Sequence, residues 1–367
     1  MSAERFPNRT AAPSAVHVVV PDSIDDLARP SGGNAYDRQI CRGLTATGWD
    51  VHEHKMSGEW PRPSPAAEEA LARAIADIPN EAVVLVDGLV ASTVPAILVP
   101  AADRLRLIVL VHMPLGVGEP GRDDTHTGTR ERAVLTAARA VVTTSSWTRD
   151  AILDQYVLPP DEVYLAEPGV ETAALAPGTT YGGELLCVAA VTPGKGHGDL
   201  LAALASNADL PWRCVCVGAL DRAPQFVEHL RRGAEADGIG DRVHFAGPLT
   251  GDELDDAYAV ADALVLASHS ESYGMVVTEA LARGLPVLAT AIGGLPQAMG
   301  RAPDGRRPGL LVPPGDPRTL ATALRSWLQD ADLRQQLREA ARQRRSTLSG
   351  WAATTDQIAH VLTGAAQ

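Results

Sequence analysis

Two carboxylates, Glu271 and Glu279, stand with seven residues between them in the stretch Ser268 to Leu295, SHSESYGMVVTEALARGLPVLATAIGGL. If one helix carries both, eight residues rise about 12 Å and turn roughly 2.2 times, so the acids share a face but lie far apart along it. Paired glycosidase carboxylates converge on one bond, whereas this spacing suits an elongated ligand. Between the acids, around Gly274, Met275 and Val276, a helix start offers free N–H groups and a positive dipole end, which favour a phosphate. A sugar nucleotide has that form, with hydroxyls at each end and a diphosphate between. An amphipathic helix that happens to carry two Glu satisfies the same short pattern. Lys195 is a second chemical group, in the glycine-rich turn Thr192-Pro193-Gly194-Lys195-Gly196-His197-Gly198. It is a natural diphosphate partner. The turn is not a Walker A loop, because no Ser or Thr follows the Lys. A solvated lysine on a tight turn fits it too.

The elements that must position these groups alternate between buried strands and helices, twice over. In the first half, strands are expected at Val16–Pro21, Trp49–His52, Ala82–Val86, Arg106–Val111, Ala140–Thr143 and Val163–Leu165. The loop Ser31-Gly32-Gly33-Asn34 precedes a helix from Tyr36 to Thr47, giving a strand, glycine loop and helix of the kind that cradles phosphates or sugars. It lacks the G-x-G-x-x-G dinucleotide fingerprint, and a lone Gly-Gly pair often only makes a turn. Asp87 and His112 each follow a strand, where doubly wound sheets line their ligand crevice. Leu115 to Arg130 is polar and is expected as a flap. Ala173 to Gly183, AALAPGTTYGG, reads as the linker. Beyond it come strands at Leu185–Val191, Trp212–Val217, Arg242–Phe245, Ala263–Ala267, Leu285–Thr290 and Gly309–Val312, a helix from Asp252 to Val260, and a helical tail from Pro317 to Ala366 with a break at Ser349-Gly350. The domains expected are residues 1–175, 176–345, and a tail, 346–367, packing back on the first.

The chain has 367 residues, ample for two cores. Lys plus Arg is 32 against 45 Asp plus Glu, net −13, which argues against a nucleic-acid partner. The four cysteines show no metal-ligand spacing and fit a reduced, cytoplasmic protein. Met1 to Pro13 lacks the apolar run of a signal peptide. Ala82 to Ala102 is apolar, but Asp87, Gly88 and Pro95 interrupt it, so no integral membrane segment is expected.

The ordered series GKGHGDLLAAL, VHFAGPL, ADALVLAS, ESYGMVVTEALARGLPVLAT and GGLP, with Gly32-Gly33, the strand-end His112 and TSSWTRD upstream, resembles glycosyltransferase family 4. The resemblance covers nearly the whole chain. It implies a GT-B fold, α/β, with two Rossmann-like domains facing each other across a cleft, and retaining transfer from a nucleotide-sugar donor. It further implies that Glu279 holds the donor ribose, that Lys195 binds the diphosphate with the amides of Met275 and Val276, and that Glu271 meets donor-sugar hydroxyls. Gly33 would approach the diphosphate, His112 the donor sugar, and Leu249 and Thr250 the base. Gly32, Asn34 and Asp87 fall on the acceptor side. One departure matters: the family's Arg that accompanies the Lys is absent from CVAAVTPGKG. Losing a cation at a leaving diphosphate costs rate, and Arg222 is placed to compensate.

These features lead to an expected hexosyltransferase that uses a nucleotide-diphosphate sugar, UDP favoured, and a soluble small-molecule acceptor, with lipid and glycan acceptors left open. No metal and no other cofactor is expected, since Asp123-Asp124 lies in the flap region without a partner acid. The rivals are a sugar-nucleotide epimerase of the same architecture and a catalytically weak sugar-nucleotide binder. A double-Rossmann dehydrogenase is disfavoured by the missing fingerprint.

Overall fold

The computed structural model describes residues 15–116 and 125–366. Twelve strands fall into two six-stranded sheets, all of whose pairings are parallel. The first holds β1 (Ala15–Pro21), β2 (Asp50–Met56), β3 (Val83–Asp87), β4 (Arg106–Val111), β5 (Ala140–Thr143) and β6 (Val163–Leu165). The second holds β7 (Glu184–Val188), β8 (Arg213–Val217), β9 (Val243–Gly247), β10 (Ala263–Leu266), β11 (Val287–Thr290) and β12 (Gly309–Val312). The helices are α1 (Gly32–Ala46), α2 (Pro65–Asp77), α3 (Gly88–Ala91), α4 (Pro95–Ala102), α5 (Thr125–Ala137), α6 (Ser146–Tyr156), α7 (His197–Ala205), α8 (Pro224–Ala236), α9 (Asp252–Val260), α10 (Met275–Ala282), α11 (Leu295–Met299), α12 (Pro317–Gln329), α13 (Ala331–Arg345) and α14 (Trp351–Ala365).

The inner strands are continuous apolar runs because both faces of each sheet are covered; VVLVD of β3 and ALVL of β10 are buried along their whole length, whereas the edge strand β2, DVHEHKM, is polar and largely exposed. The strand orders are β2-β1-β3-β4-β5-β6 and β12-β11-β10-β7-β8-β9. Each order reverses beside its first strand, between β1 and β3 and between β7 and β10. Such switch points leave a crevice outside the strand carboxyl ends. The loops that bracket the second are those of Lys195 and Glu271, and Asp87 closes β3 at the first. The fold is therefore the expected pair of Rossmann-like sheets.

Four local expectations are corrected. Gly32 and Gly33 are not a loop but the first turn of α1, because the Ser31 hydroxyl accepts the Asn34 N–H at 3.1 Å and caps the helix there. The two glutamates do not share one helix: Gly274, at φ 92°, breaks the chain direction, and α10 begins only at Met275. The flap is shorter than expected, since residues 125–130 belong to α5; residues 117–124 of it, including Asp123-Asp124, lie outside the described residues, as does Met1 to Pro13. The second strand runs on to Met56.

Between the sheets the chain is pinned by Asp262, which is fully buried. Its carboxylate accepts from the Thr179 amide (2.5 Å), the Thr179 hydroxyl (2.5 Å) and the Glu184 amide (3.0 Å), and pairs with Arg338 at 2.6 Å. After α13 the chain returns to the first half. Val170 N–H donates to Ser349 O, Thr354 Oγ1 donates to Glu167 O, and Ile358, Val361, Leu362 and Ala365 of α14 complete the core under α1.

Candidate active site

Two helix N-termini meet across the cleft. A Cβ placed on Gly32, at the start of α1, would stand 3.5 Å from Met275 Sδ at the start of α10. Met275 packs against the cores of both halves. The leading amides of both helices lack intrahelical acceptors by construction and carry the positive dipole ends. Lys195 joins them on the second side. Its Nζ lies 2.6 Å from Glu271 Oε2, and both side chains are only partly exposed.

Backbone packing holds these groups. Gly196, at φ 67°, lies against the Ala267 carbonyl, and a Cβ there would overlap it. His269 N–H donates to Gly194 O at 2.9 Å, so the Lys195 turn and the Glu271 loop are one unit. Gly293, at φ 55°, lies against the Glu271 carbonyl, which accepts the Gly294 N–H at 3.0 Å. The GGLP turn thus serves to place Glu271.

Glu279 lies in α10, one turn in from the cleft. The Tyr258 hydroxyl donates to its Oε2 at 2.9 Å, and Arg283 lies over the Tyr258 ring, 4.5 Å from its centre. Burial raises the Glu279 pKa, while the Tyr258 hydrogen bond opposes the rise. Arg283 also pairs with Asp255 of α9.

On the first side, His112 follows β4. Its Nε2 lies 2.7 Å from Oδ1 of Asp37 in α1 and 3.7 Å from Oδ2 of Asp87. Burial is the leading cause of three shifts here: it pushes Asp37 up to about 7, raises Asp87 well above the usual carboxylate range, and lowers His112. Tyr36 packs edge-on to the His112 ring, and its own hydroxyl donates to Ala166 O at 2.9 Å. Gly33 leaves the ring room: a Cβ there would stand 3.4 Å from His112 Cδ2.

Residues 182–344 match the family model described as Glycosyl transferases group 1. A D-inositol 3-phosphate glycosyltransferase of Kineococcus radiotolerans is 33% identical over 65% of this chain and 60% of its own length. Its namesake from Corynebacterium diphtheriae is 31% identical over 73% and 65%. The chain therefore aligns with somewhat less than two thirds of these relatives. Sucrose-phosphate synthase from Thermosynechococcus elongatus superposes with a TM-score of 0.79 at 22% identity, covering 96% of this chain and 98% of that one. Anabaena HepE, in complex with UDP-glucose, superposes with a TM-score of 0.75 at 16% identity, over 95% and 99%. Over residues 182–344 the chain is a group 1 glycosyltransferase domain.

Within this GT-B member, Lys195, Glu271, Gly274, Met275 and Val276 come together with Gly32 and Gly33 at the cleft. Asp87 and His112 lie beneath Gly33. Leu249 and Thr250 follow β9, and Leu249 packs against the second core. The Asn34 side chain is turned onto its own loop, where Nδ2 donates to Ser23 O at 2.6 Å. Arg222 is exposed on the loop after β8. Its guanidinium lies 3.5 Å from Arg29 O of the first half, and Arg29 pairs with the neighbouring Asp221 at 2.8 Å. Asp37, Tyr258 and Glu131 were not anticipated. Glu131, fully buried, accepts from Ser92, Tyr156 and the amides of Leu115 and Gly116, and so anchors the segment leading to residue 117. Starting the helix at Gly32 puts Asp37 four residues after Gly33 on the same face, but its burial against His112 is a long-range contact.

Two clusters have ligand types for a metal among the described residues: Asp37, Asp87 and His112, and the buried Cys187, His197 and Cys216. In the first, the 2.7 Å contact from His112 to Asp37 is a hydrogen-bond distance. In the second, Cys187 Sγ and His197 Nε2 are 3.8 Å apart within the second core. No helix of the described residues is long and apolar enough to cross a membrane.

Proposed function

We propose that this protein transfers a hexose-type sugar, with retention of anomeric configuration, from a nucleotide-diphosphate donor to an acceptor hydroxyl. The observation that carries this reading is the meeting of the α1 and α10 N-termini, with Lys195 paired to Glu271 in the loop that leads into α10, a concentration of positive potential suited to a diphosphate. Glu279, one turn into α10 and held by Tyr258, is the group we assign to the ribose hydroxyls. Glu271, already ion-paired with Lys195, is placed to take sugar hydroxyls once the diphosphate claims the lysine.

The developing charge on the leaving diphosphate is met by Lys195 and the helix amides, with Arg222 at the rim in place of the missing family Arg. No divalent ion enters this scheme. The leaving phosphate takes the acceptor proton on the face it departs from. UDP is favoured as the nucleotide because HepE binds UDP-glucose, and the acidic chain and the inositol phosphate relatives favour a small soluble acceptor. Activity in the cytoplasm follows from that acceptor class.

The test is a panel of nucleotide sugars read by thermal shift, since a ligand of the native state raises its melting temperature. The donor that binds is then incubated with inositol phosphates and other polyols, and the product anomer is read by NMR. Donor binding and an anomer matching the donor are expected. No binding by any nucleotide sugar, or a product of inverted configuration, overturns the proposal.

A further inference from the structure

The His112 imidazole is held by a carboxylate that no motif marks. Its Nε2 is 2.7 Å from Asp37 Oδ1, while Nδ1 makes no hydrogen bond to the described residues and the side chain keeps a 14% exposed edge. Asp37 has a second oxygen, Oδ2, that is fully buried and has no hydrogen-bond partner if both acids are ionised. The side chains around it supply no other donor. Val18, Val20, Ile40 and Leu85 line the adjoining void with the two acids, and at about 10 Å³ it is at the limit of what one water needs. A carboxylate oxygen of Asp87 lies within 4.8 Å of one of Asp37. Asp87 Oδ1 accepts the Leu89 amide at 2.5 Å. Two bare carboxylates in contact inside an apolar core repel, and an unpartnered buried oxygen is costly. One proton held by Asp87 and donated to Asp37 removes both difficulties.

We propose that Asp37 is a positioning residue for His112: its carboxylate accepts from protonated Asp87 on one side and from His112 Nε2–H on the other. This fixes the imidazole in the Nε2–H tautomer. It leaves Nδ1 as a lone-pair acceptor for a hydroxyl of the bound sugar, a step that rests on the glycosyltransferase reading above. The burial of all three groups agrees with the charge state, since it holds Asp87 protonated and His112 neutral while Asp37 ionises near 7. The titratable groups facing the trio are few. Tyr36 lies edge-on to the ring with its hydroxyl directed to Ala166, and Arg38, the next residue of α1, acts on Asp37 through space. Cys41, one turn further along α1, also faces Asp37 through space, and from β1, β3 and β4 the side chains of Val18, Val20, Leu85 and Leu110 line the void beside the pair. Gly33 completes the arrangement by admitting the ring against the first turn of α1.

The tautomer is read directly by nitrogen-15 NMR of the free enzyme at pH 8, with the His112 signals identified by their loss in His112→Gln. The wild type is expected to show the Nε2–H form, and Asp37→Asn to lose it. Asp87→Asn, whose amide can still donate to Asp37, is expected to keep it. In turnover, Asp37→Asn should lower kcat by about 100-fold, the lower range for a mis-set imidazole, with donor KM within about twofold. The limb of the wild-type pH–rate profile that rises as Asp37 ionises near pH 7 should vanish. An Nδ1–H or doubly protonated His112 in the wild type overturns the proposal. So does an Asp37→Asn enzyme with the wild-type tautomer and pH profile. A wild-type melting temperature in Asp37→Asn excludes misfolding as the cause of any loss; a lowered one leaves the wild-type NMR result to decide. Because the NMR experiment needs no substrate, it separates failure of this assignment from failure of the transferase reading.

Discussion

Tyr258→Phe removes one oxygen from the second core and tests how Glu279 is held. Tyr258 is fully buried, and its hydroxyl donates to Glu279 Oε2 at 2.9 Å. A hydrogen bond to an ionised group contributes about 1.5–3 kcal/mol. Phenylalanine keeps the ring and the Arg283 contact above it, so the change isolates that bond. For a domain of this size each kcal/mol is worth about 2–4 °C of melting temperature, so a fall of about 3–12 °C is expected at pH 8. The penalty has a pH signature. Burial has raised the Glu279 pKa and Tyr258 holds it down, so the variant's carboxyl titrates higher still. A carboxyl raised above its unfolded value favours folding when protonated. Stability linked to Glu279 is thus gained as pH falls through its folded pKa, and the gap between variant and wild type should narrow on acidification. Donor affinity should also fall, by up to about tenfold for each 1.4 kcal/mol of lost orientation. Differential scanning calorimetry at pH 5 to 8 and calorimetric donor titration supply the readings. A variant that melts with the wild type at pH 8 and binds donor equally well would refute the reasoning.

Glu279→Gln should weaken donor binding by about tenfold with a smaller change in kcat, whereas Glu271→Gln should lower kcat more than affinity; titration and steady-state rates separate them, and equal effects would deny the two acids different roles. Arg222→Ala should slow transfer at least about tenfold, as loss of a charge-stabilising group does, and an unchanged rate would confine Arg222 to its contact with Arg29. Asp37 is raised to about 7 and Asp87 well above its unfolded value of 3.8, so the folded state holds protons the unfolded chain has released, and stability falls as pH rises from 4 to 7. Asp87→Asn should flatten that slope by up to about 1.4 kcal/mol per pH unit, checked by urea midpoints at pH 5, 6 and 7. Transfer should survive a chelator undiminished, and loss of activity restored by a divalent ion would call for a metal in the scheme.

The sheets were legible because parallel strands covered on both faces are nearly pure Val, Leu, Ile and Ala. Arg106–Val111, Ala140–Thr143 and Gly309–Val312 have the bounds their composition predicts. The start of α1 was misplaced, and Glu271 was joined to the helix of Glu279, for one shared reason. Each boundary involves a glycine, whose weak helix propensity reads as loop, while the decisive features were the Ser31 cap and the left-handed Gly274. The first is a local hydrogen bond that a Ser three residues before Asn34 can signal. The second is a backbone angle set by packing. Asp37, Glu131 and Asp262 were illegible in another way. A charged residue in an amphipathic pattern is assigned to solvent by default, and only long-range partners reveal its burial: His112 for Asp37, Ser92 and Tyr156 for Glu131, and Thr179 and Arg338 for Asp262.

The Lys195–Glu271 pair shows why the two acids of the motif differ. Both side chains stay partly solvated, so their ion pair is worth little in stability. A diphosphate can displace Glu271 from Lys195 at small cost, because it brings more charge to the same ammonium. The Glu271 backbone does not move with its side chain, since the Gly293-Gly294 turn grips the carbonyl and His269 ties the loop to the Lys195 turn. In the proposed reaction the released carboxylate is then free to turn to the attached sugar while its backbone stays in place. Glu279 has no such freedom. It is clamped by Tyr258 inside a helix, and a group that cannot move suits recognition of a part of the ligand that does not react. In the proposed reaction, spacing brings the two acids to one donor, and the glycine before α10 divides them into a partner for the sugar, on the loop, and an anchor for the nucleotide, in the helix.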